Sequence, residues 1–249
     1  MGGRRMEMNV IDLFREEYLP GSTVSIIYDA YSSAWRIPLL LLKHAVENGR
    51  VGIVSNYAGP IKSFIRKART VGLDIERALR NGDVAVIDLF GTRYGSKEPL
   101  PNVFYLDKVE PETLNPKIDR IYDVYLRELV RYRPVFRLVY TLDGVSLLLG
   151  EENTLKLLNQ TLASRTRQLP DSILVLALNR DVVSTRFVAW VSGISDYVIL
   201  AKSWLEETGL KEALYLISAP YEDFEPEMYS FRVTKRKGME KLRVRKISP

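Results

Sequence analysis

The chain has 249 residues, 46% of them hydrophobic, with no cysteine and a single histidine, His44. This composition argues against disulfide frameworks, thiolate or imidazole metal clusters and histidine-dependent catalytic triads, and the length suits one α/β domain. The formal net charge of +5 is unevenly distributed, because residues 231–249 hold eight basic residues against one acidic residue, Glu240. The positive charge therefore belongs to one terminal segment and not to the whole surface.

The first third of the chain predicts buried strands that alternate with helices. Apolar residues at helical spacing over 7–18 predict a leading helix within the segment 1–20. Alternating strands and helices of this kind are typical of a mostly parallel sheet with crossover helices. The strands are predicted at 23–28, 51–55 and 84–89, and the helices at 38–46, 61–70 and 74–80.

Residues 91–116 are rich in glycine and proline and predict a long surface excursion, with one strand candidate at 103–106. Its first part, residues 91–97, imitates a phosphate-binding loop but has Ser and Lys in reversed order, and we interpret it as an ordinary turn. Asp88, just before it, is interpreted as the solvated end of a strand. The remaining elements are helices at 116–131, 151–168 and 186–191, strands at 135–142, 173–178, 197–200 and 213–217, and a basic hairpin over 229–249.

The stretch after the first strand has the outline of a phosphate-binding loop without its residues. Such a loop needs glycines, whose backbone N–H groups surround phosphate oxygens, and a Lys followed by Ser or Thr. Residues 28–36, YDAYSSAWR, contain neither Gly nor Lys. Tyr28, Tyr31, Trp35 and Tyr57 are expected to gather here, where they could stack on a ligand ring; filling a vacated pocket is the favoured interpretation.

The order of elements resembles the RecA-like P-loop ATPases, and within them the archaeal KaiC-like and RadA-like group. The resemblance implies a three-layer α/β fold with a mainly parallel central sheet, helices on both faces and a C-terminal β-hairpin, all within a single domain over 1–249. The matching stretches are the Pro20-Gly21 entry to the first strand, the strand 53–55 ending in Ser, and the segments 72–88, 138–143 and 233–238.

The departures from the family pattern lie where its chemistry would be. On this resemblance Ala34 replaces the phosphate-binding Lys, Trp35 replaces the Mg²⁺-binding hydroxyl, and the water-activating Glu falls near Tyr57 or Ala58. Asp143 corresponds to the acidic residue that holds Mg²⁺ through water. The residues that could still take part in residual ATP and Mg²⁺ binding are Asp143, Ser32, Ser33 and, from a hairpin that in the family reaches a neighbouring subunit, Lys235 and Lys237.

The favoured hypothesis is a pseudo-ATPase without a cofactor, a regulatory or scaffolding subunit that assembles with itself or with an intact paralogue. One alternative is an atypical ATPase that uses Asp143 with Lys235 and Lys237 of a neighbour. Another is a RadA-like accessory protein that binds nucleic acid through the basic segment 232–246, although basic residues on an edge strand also prevent aggregation. His44 is expected to be packed or half-exposed, and a cytoplasmic location without membrane attachment is expected.

Overall fold

The computed structural model describes residues 8–14, 19–207, 209–236 and 239–247. Within them eleven strands join in one sheet. The strands are β1 (Met8–Asn9), β2 (Thr23–Tyr28), β3 (Val51–Asn56), β4 (Val84–Asp88), β5 (Val103–Phe104), β6 (Val135–Tyr140), β7 (Ile173–Asn179), β8 (Tyr197–Glu206), β9 (Gly209–Ser218), β10 (Glu227–Arg236) and β11 (Met239–Lys246).

Helices connect the strands and cover the sheet. Short 3-10 helices lie at Val10–Phe14 and Ser33–Arg36, and a π-helical turn at Tyr122–Leu126 joins the α-helices on either side of it. The α-helices are α1 (Ile37–Glu47), α2 (Ile61–Arg69), α3 (Ile75–Arg80), α4 (Leu89–Tyr94), α5 (Leu114–Ile121), α6 (Arg127–Arg131), α7 (Leu142–Leu149), α8 (Glu151–Gln168) and α9 (Thr185–Gly193).

The sheet has a parallel part and an antiparallel part. Its strand order is β1-β11-β10-β9-β8-β2-β7-β6-β3-β4-β5. From β8 to β5 every pairing is parallel, and β9, β10, β11 and β1 continue the sheet in antiparallel pairings on the side of β8. The expected α/β sheet, mainly parallel and ending in a C-terminal hairpin, is confirmed; the turn of that hairpin at 237–238 lies outside the described residues.

The central strands are buried on both faces, which explains why they are nearly continuous apolar runs. In β2 every residue is buried, and successive side chains enter different cores because they point to opposite faces of the sheet. Ile26 packs in the core that contains Leu41 of α1, whereas Ile27 packs in the core that contains Leu158 of α8. Each core lies between one face of the sheet and the helices that cover that face.

The predicted leading helix over 7–18 is wrong where the chain is described. Met8–Asn9 pair with β11, and residues 10–14 make only a short 3-10 helix. The helical spacing of apolar residues has a different cause, since Val10, Leu13 and Phe14 are buried against the sheet. Residues 15–18 lie outside the described part of the chain.

The predicted surface excursion over 91–116 is wrong in part, because the chain first forms α4 and later packs into the core. Asp88, expected to be solvated, is fully buried and caps α4 by accepting a hydrogen bond from the N–H of Gly91 at 3.0 Å. Its Oδ1 also accepts one from Asn56 Nδ2 at 2.9 Å. These hydrogen bonds replace water at Oδ1, and a helix cap lies where a turn was predicted. Leu106, Val109 and Leu114 are buried.

The strand predicted over 135–142 is two residues too long, because a helix begins at Leu142. It ends at Tyr140, and the Thr141 hydroxyl accepts a hydrogen bond from the N–H of Gly144 at 3.2 Å, which caps α7. Asp143 therefore lies in the first turn of a helix and not at the end of a strand.

Candidate functional site

A cavity of about 350 Å³ opens at the carboxyl ends of β2, β3, β6 and β7. Open α/β sheets bind their ligands at this edge, because the loops that follow parallel strands converge there. The cavity is lined by Tyr28, Ala30, Trp35, Tyr57, Ala58, Lys67, Phe90, Tyr94, Tyr140, Thr141, Asp143, Gly144, Leu147, Leu148 and Asn179.

Asp143 supplies the negative charge of the cavity. Its Oδ1 accepts a hydrogen bond from the backbone N–H of Asn179 at 2.9 Å, which links α7 to the end of β7. Burial raises the pKa of the Asp143 carboxyl above its ordinary value of 3.8, and the hydrogen bonds from Asn179 and Thr141 act in the opposite direction. Asp143 thus lies at the carboxyl edge of the sheet, in the first turn of a helix and not at the end of a strand.

Lys67 of α2 supplies the positive charge, and it was missed in the sequence because it lies among the basic residues on the polar side of an amphipathic helix. Its ammonium lies 5.5 Å from the ring centroid of Trp35 and 5.9 Å from that of Tyr140. Burial lowers the pKa of Lys67, and the negative charge of Asp143 raises it. No ion pair joins the two side chains within the described residues, so the cavity separates two charges that influence each other.

Aromatic side chains form the walls. Tyr28 and Tyr57 are buried and Trp35 is half-buried at the cavity, as expected, whereas Tyr31 is 71% exposed and does not belong to the cavity lining. The favoured interpretation, that these rings fill a vacated pocket, is wrong, because they line a cavity of about 350 Å³ that stays open between them. Burial raises the pKa of Tyr28, Tyr57 and Tyr140, which keeps these phenols neutral at physiological pH.

The loop after β2 binds carboxylates that belong to the protein. Glu212 of β9 accepts hydrogen bonds from the Ser32 hydroxyl at 2.8 Å and from the Ser33 N–H at 2.6 Å, and its second oxygen accepts one from the Ser33 hydroxyl. Asp181 accepts another from the N–H of Ala30 at 2.8 Å. The N–H and O–H donors of this loop that could otherwise bind a phosphate are therefore already hydrogen-bonded to carboxylates of the protein itself.

The same loop is tied to the antiparallel extension by a further carboxylate. Asp29 accepts hydrogen bonds from the N–H of Ser203 at 2.6 Å and from the Ser203 hydroxyl. Ser203 lies opposite Glu212 in the register of β8 and β9. The two strands therefore bind the loop in two ways: Glu212 of β9 accepts hydrogen bonds from the loop, and Ser203 of β8 donates hydrogen bonds to it. No local pattern in the sequence indicates this arrangement.

The structure does not bring the whole predicted site together. Asp143 lines the cavity, while Ser32 and Ser33 are bound to Glu212. Lys235 lies in β10, opposite Glu240 in register, and Lys237 lies outside the described residues.

His44 is half-buried on α1, as expected. In the described part of the chain no group of three or more acidic or histidine side chains could hold a metal ion, and no helix is long and apolar enough to cross a membrane.

Comparison with known proteins shows similarity in structure only: no protein-family model and no curated protein matches the sequence. One similar structure is that of the uncharacterized protein PH0321 from Pyrococcus horikoshii, crystallised in complex with an unknown peptide. It is 23% identical, with 96% of this chain and 98% of that chain covered and a TM-score of 0.79. The KaiC-like protein PH0186 from Pyrococcus horikoshii OT3 is 15% identical, with 92% and 91% covered and a TM-score of 0.65. The chain has a RecA-like, KaiC-like fold.

The RecA-like fold sets the loop at residues 29–36 and Asp143 at the same edge of the sheet, as the resemblance in the sequence implies. Two subsites follow from the geometry. The loop is occupied by Glu212 and Asp181, and the neighbouring cavity, with Asp143 and Lys67, is open.

Proposed function

We propose that this RecA-like chain does not hydrolyse ATP and acts as a regulatory or scaffolding subunit. The observation that carries the proposal is the bond between Glu212 and the two serines of the loop after β2. A triphosphate in that position would have to displace a carboxylate and would also lie near Asp181, whose charge is offset only in part by Arg180 at 3.8 Å. The loop itself contains no basic side chain between Tyr28 and Trp35 to compensate that charge.

Charge compensation is what the chemistry of phosphoryl transfer most requires. In enzymes of this kind a Lys and a metal ion neutralise the charge that develops on the transferred group. Removal of a single electrostatic contact to a transition state costs about 2.7 to 4 kcal/mol. Ala34 at the position of the Lys, together with neutral Tyr57 and Ala58 at the position of the base, therefore supports a protein without turnover.

The scaffolding part of the proposal concerns polypeptide partners. The similar structure PH0321 is a complex with an unknown peptide, and this supports a polypeptide as the kind of partner that we propose. The partner we propose is a second copy of this chain or an intact paralogue. Light scattering on the purified chain should give a mass above that of the monomer. A protein that is strictly monomeric and also does not bind a co-expressed paralogue would contradict this part of the proposal.

Calorimetric titration with MgATP and a sensitive phosphate-release assay test the absence of hydrolysis. We expect no release above that of a buffer control, and the same result for Asp143→Ala. Micromolar binding with a turnover that Asp143→Ala abolishes would show instead that the chain is an atypical ATPase.

A further inference from the structure

We propose that the open cavity binds a zwitterionic ligand of the size of an apolar amino acid, with its ammonium group at Asp143 and its carboxylate at Lys67. The inference rests on the proposed function, because a nucleotide-hydrolysing protein would use the same edge of the sheet for nucleotide. It names the ligand class that a regulatory subunit of this kind would sense.

Asp143 is the receptor for the ammonium group. The carboxylate lies in the cavity lining and accepts a hydrogen bond from the Asn179 backbone, but no ion pair with a cationic side chain occurs among the residues that the structure describes. Asp143 is half-buried, and a carboxylate that is partly removed from water and has no ion-pair partner gains most from a donor that carries positive charge. An ammonium group of a ligand supplies both the charge and the hydrogen bonds.

Lys67 is the receptor for the carboxylate. Its ammonium lies over the rings of Trp35 and Tyr140 and donates no hydrogen bond in the described part of the chain. Most of the side chain is exposed, whereas its ammonium lies at the cavity lining, where neighbouring atoms partly remove it from water; the side chain can therefore reorient toward a bound anion. Three unused donors and a positive charge at the lining of a cavity suit a carboxylate ligand.

The balance of charges favours a ligand that carries both signs. A simple amine would pair with Asp143 but would repel Lys67, and a simple carboxylate would pair with Lys67 but would repel Asp143. The other titratable groups with raised pKa in the lining, Tyr28, Tyr57 and Tyr140, are neutral and do not alter the balance. The opposite charges of Asp143 and Lys67 are thus complementary to an amino acid, and not to an amine or a carboxylate alone.

Size and wall chemistry restrict the ligand further. A volume of about 350 Å³ is at the lower end of the range of about 300 to 1,000 Å³ for small-molecule sites. Trp35, Phe90 and Tyr94 supply aromatic walls, and Leu147 and Leu148 of α7 add aliphatic surface. Such walls suit an apolar side chain on the ligand, as in leucine or phenylalanine.

Calorimetric titration of the full chain with L-leucine and with L-phenylalanine tests the proposal. We expect at least one of them to bind with a Kd of about 1 mM or lower. The matched half-ligands are 3-methylbutylamine and 4-methylpentanoate for leucine, and 2-phenylethylamine and 3-phenylpropanoate for phenylalanine. Each should bind at least about tenfold more weakly, since it loses one charge-assisted contact and meets one like charge.

Two substitutions assign the contacts. Asp143→Asn, which keeps the acceptor for Asn179, and Lys67→Met should each weaken amino-acid binding about tenfold or more. Lys62→Met, on the exposed side of the same helix, should leave it unchanged.

The half-ligands need no variant, so the test stands even if a substitution alters folding. Absence of saturable binding of both amino acids to the wild-type chain, or half-ligands that bind as well as the amino acids, would overturn the inference. Phosphate release from MgATP would overturn the proposed function instead, so the two failures are distinguishable.

Discussion

Replacement of Glu212 by Ala is the most direct perturbation of the loop after β2. The variant removes the acceptor of three hydrogen bonds, two from Ser33 and one from the Ser32 hydroxyl. Ser32 is only 2% exposed, so its hydroxyl proton cannot find water as a substitute. An unsatisfied buried donor costs about 1 to 3 kcal/mol. Ser33 is half-buried, so water can reach its N–H and its hydroxyl, and these two donors contribute little.

We therefore expect Glu212→Ala to lower the free energy of unfolding by about 2 kcal/mol. For a chain of this length that corresponds to a fall of about 4 to 8 °C in Tm. Urea denaturation, monitored by circular dichroism, gives the free energy of unfolding, and calorimetry gives Tm. Glu222→Ala is the matched control, because Glu222 is exposed, lies between β9 and β10 and makes no hydrogen bond or ion pair with another described residue.

A second measurement asks what the freed loop can bind. Inorganic phosphate should raise the Tm of Glu212→Ala relative to chloride at equal ionic strength, because a ligand of the folded state stabilises it by mass action. The wild-type protein should show no such difference. A variant within about 0.5 kcal/mol of the wild type, which is the scatter of neutral surface substitutions, would refute the reasoning that Glu212 holds the loop.

Three further predictions concern other contacts. Asp143→Asn should make the protein more stable than the wild type above pH 4 and equal to it at lower pH: burial raises the pKa of Asp143 above 3.8, so wild-type stability falls as pH rises from there through the folded pKa. Denaturation at several pH values measures this, and a difference that shrinks with rising pH would refute it. Arg165→Lys should cost about 3 kcal/mol, since the buried guanidinium donates to Gly21 O, Ser22 O, Ser172 O and Thr23 Oγ1; Arg167→Lys, on the exposed side of α8, is the control in the same urea titration. Gly91→Ala should cost about 1 to 3 kcal/mol, because a Cβ there would approach Ser96 O to 2.7 Å and Asp88 Oδ2 more closely still. Gly193→Ala, with open space around it, should have no such effect, and equal Tm values for these two variants would contradict the packing argument.

The sequence predicts the parallel part of the sheet well because its signals are local. Buried strands such as β3 and β7 are apolar runs bounded by turn residues, and these patterns exist within a few residues of each other. The caps of α4 and α7 were missed because Asp88 and Thr141 can end a strand as readily as they begin a helix. What decides between these roles is burial, which depends on contacts distant in the sequence.

The candidate site was predicted only in part for the same reason. Asp143 was found through its place after a strand-like run, whereas Lys67 and Glu212 come from α2 and β9 and carry no motif. Glu212 is separated from Ser32 by 180 positions in the chain, and only the sheet topology brings them together. Contacts of this kind leave no periodicity or spacing from which to infer them.

The position of Glu212 on β9 has a consequence for any anion that approaches the loop. Because β9 pairs with β8 along its length and β8 pairs with β2, the carboxylate is a tethered competitor at a fixed distance from the serines. An intramolecular group of this kind acts at an effective concentration far above that of free metabolites. An external anion can therefore occupy the loop only by displacing this carboxylate, and the pairing of β9 with β8 and of β8 with β2 keeps Glu212 in place to compete with it.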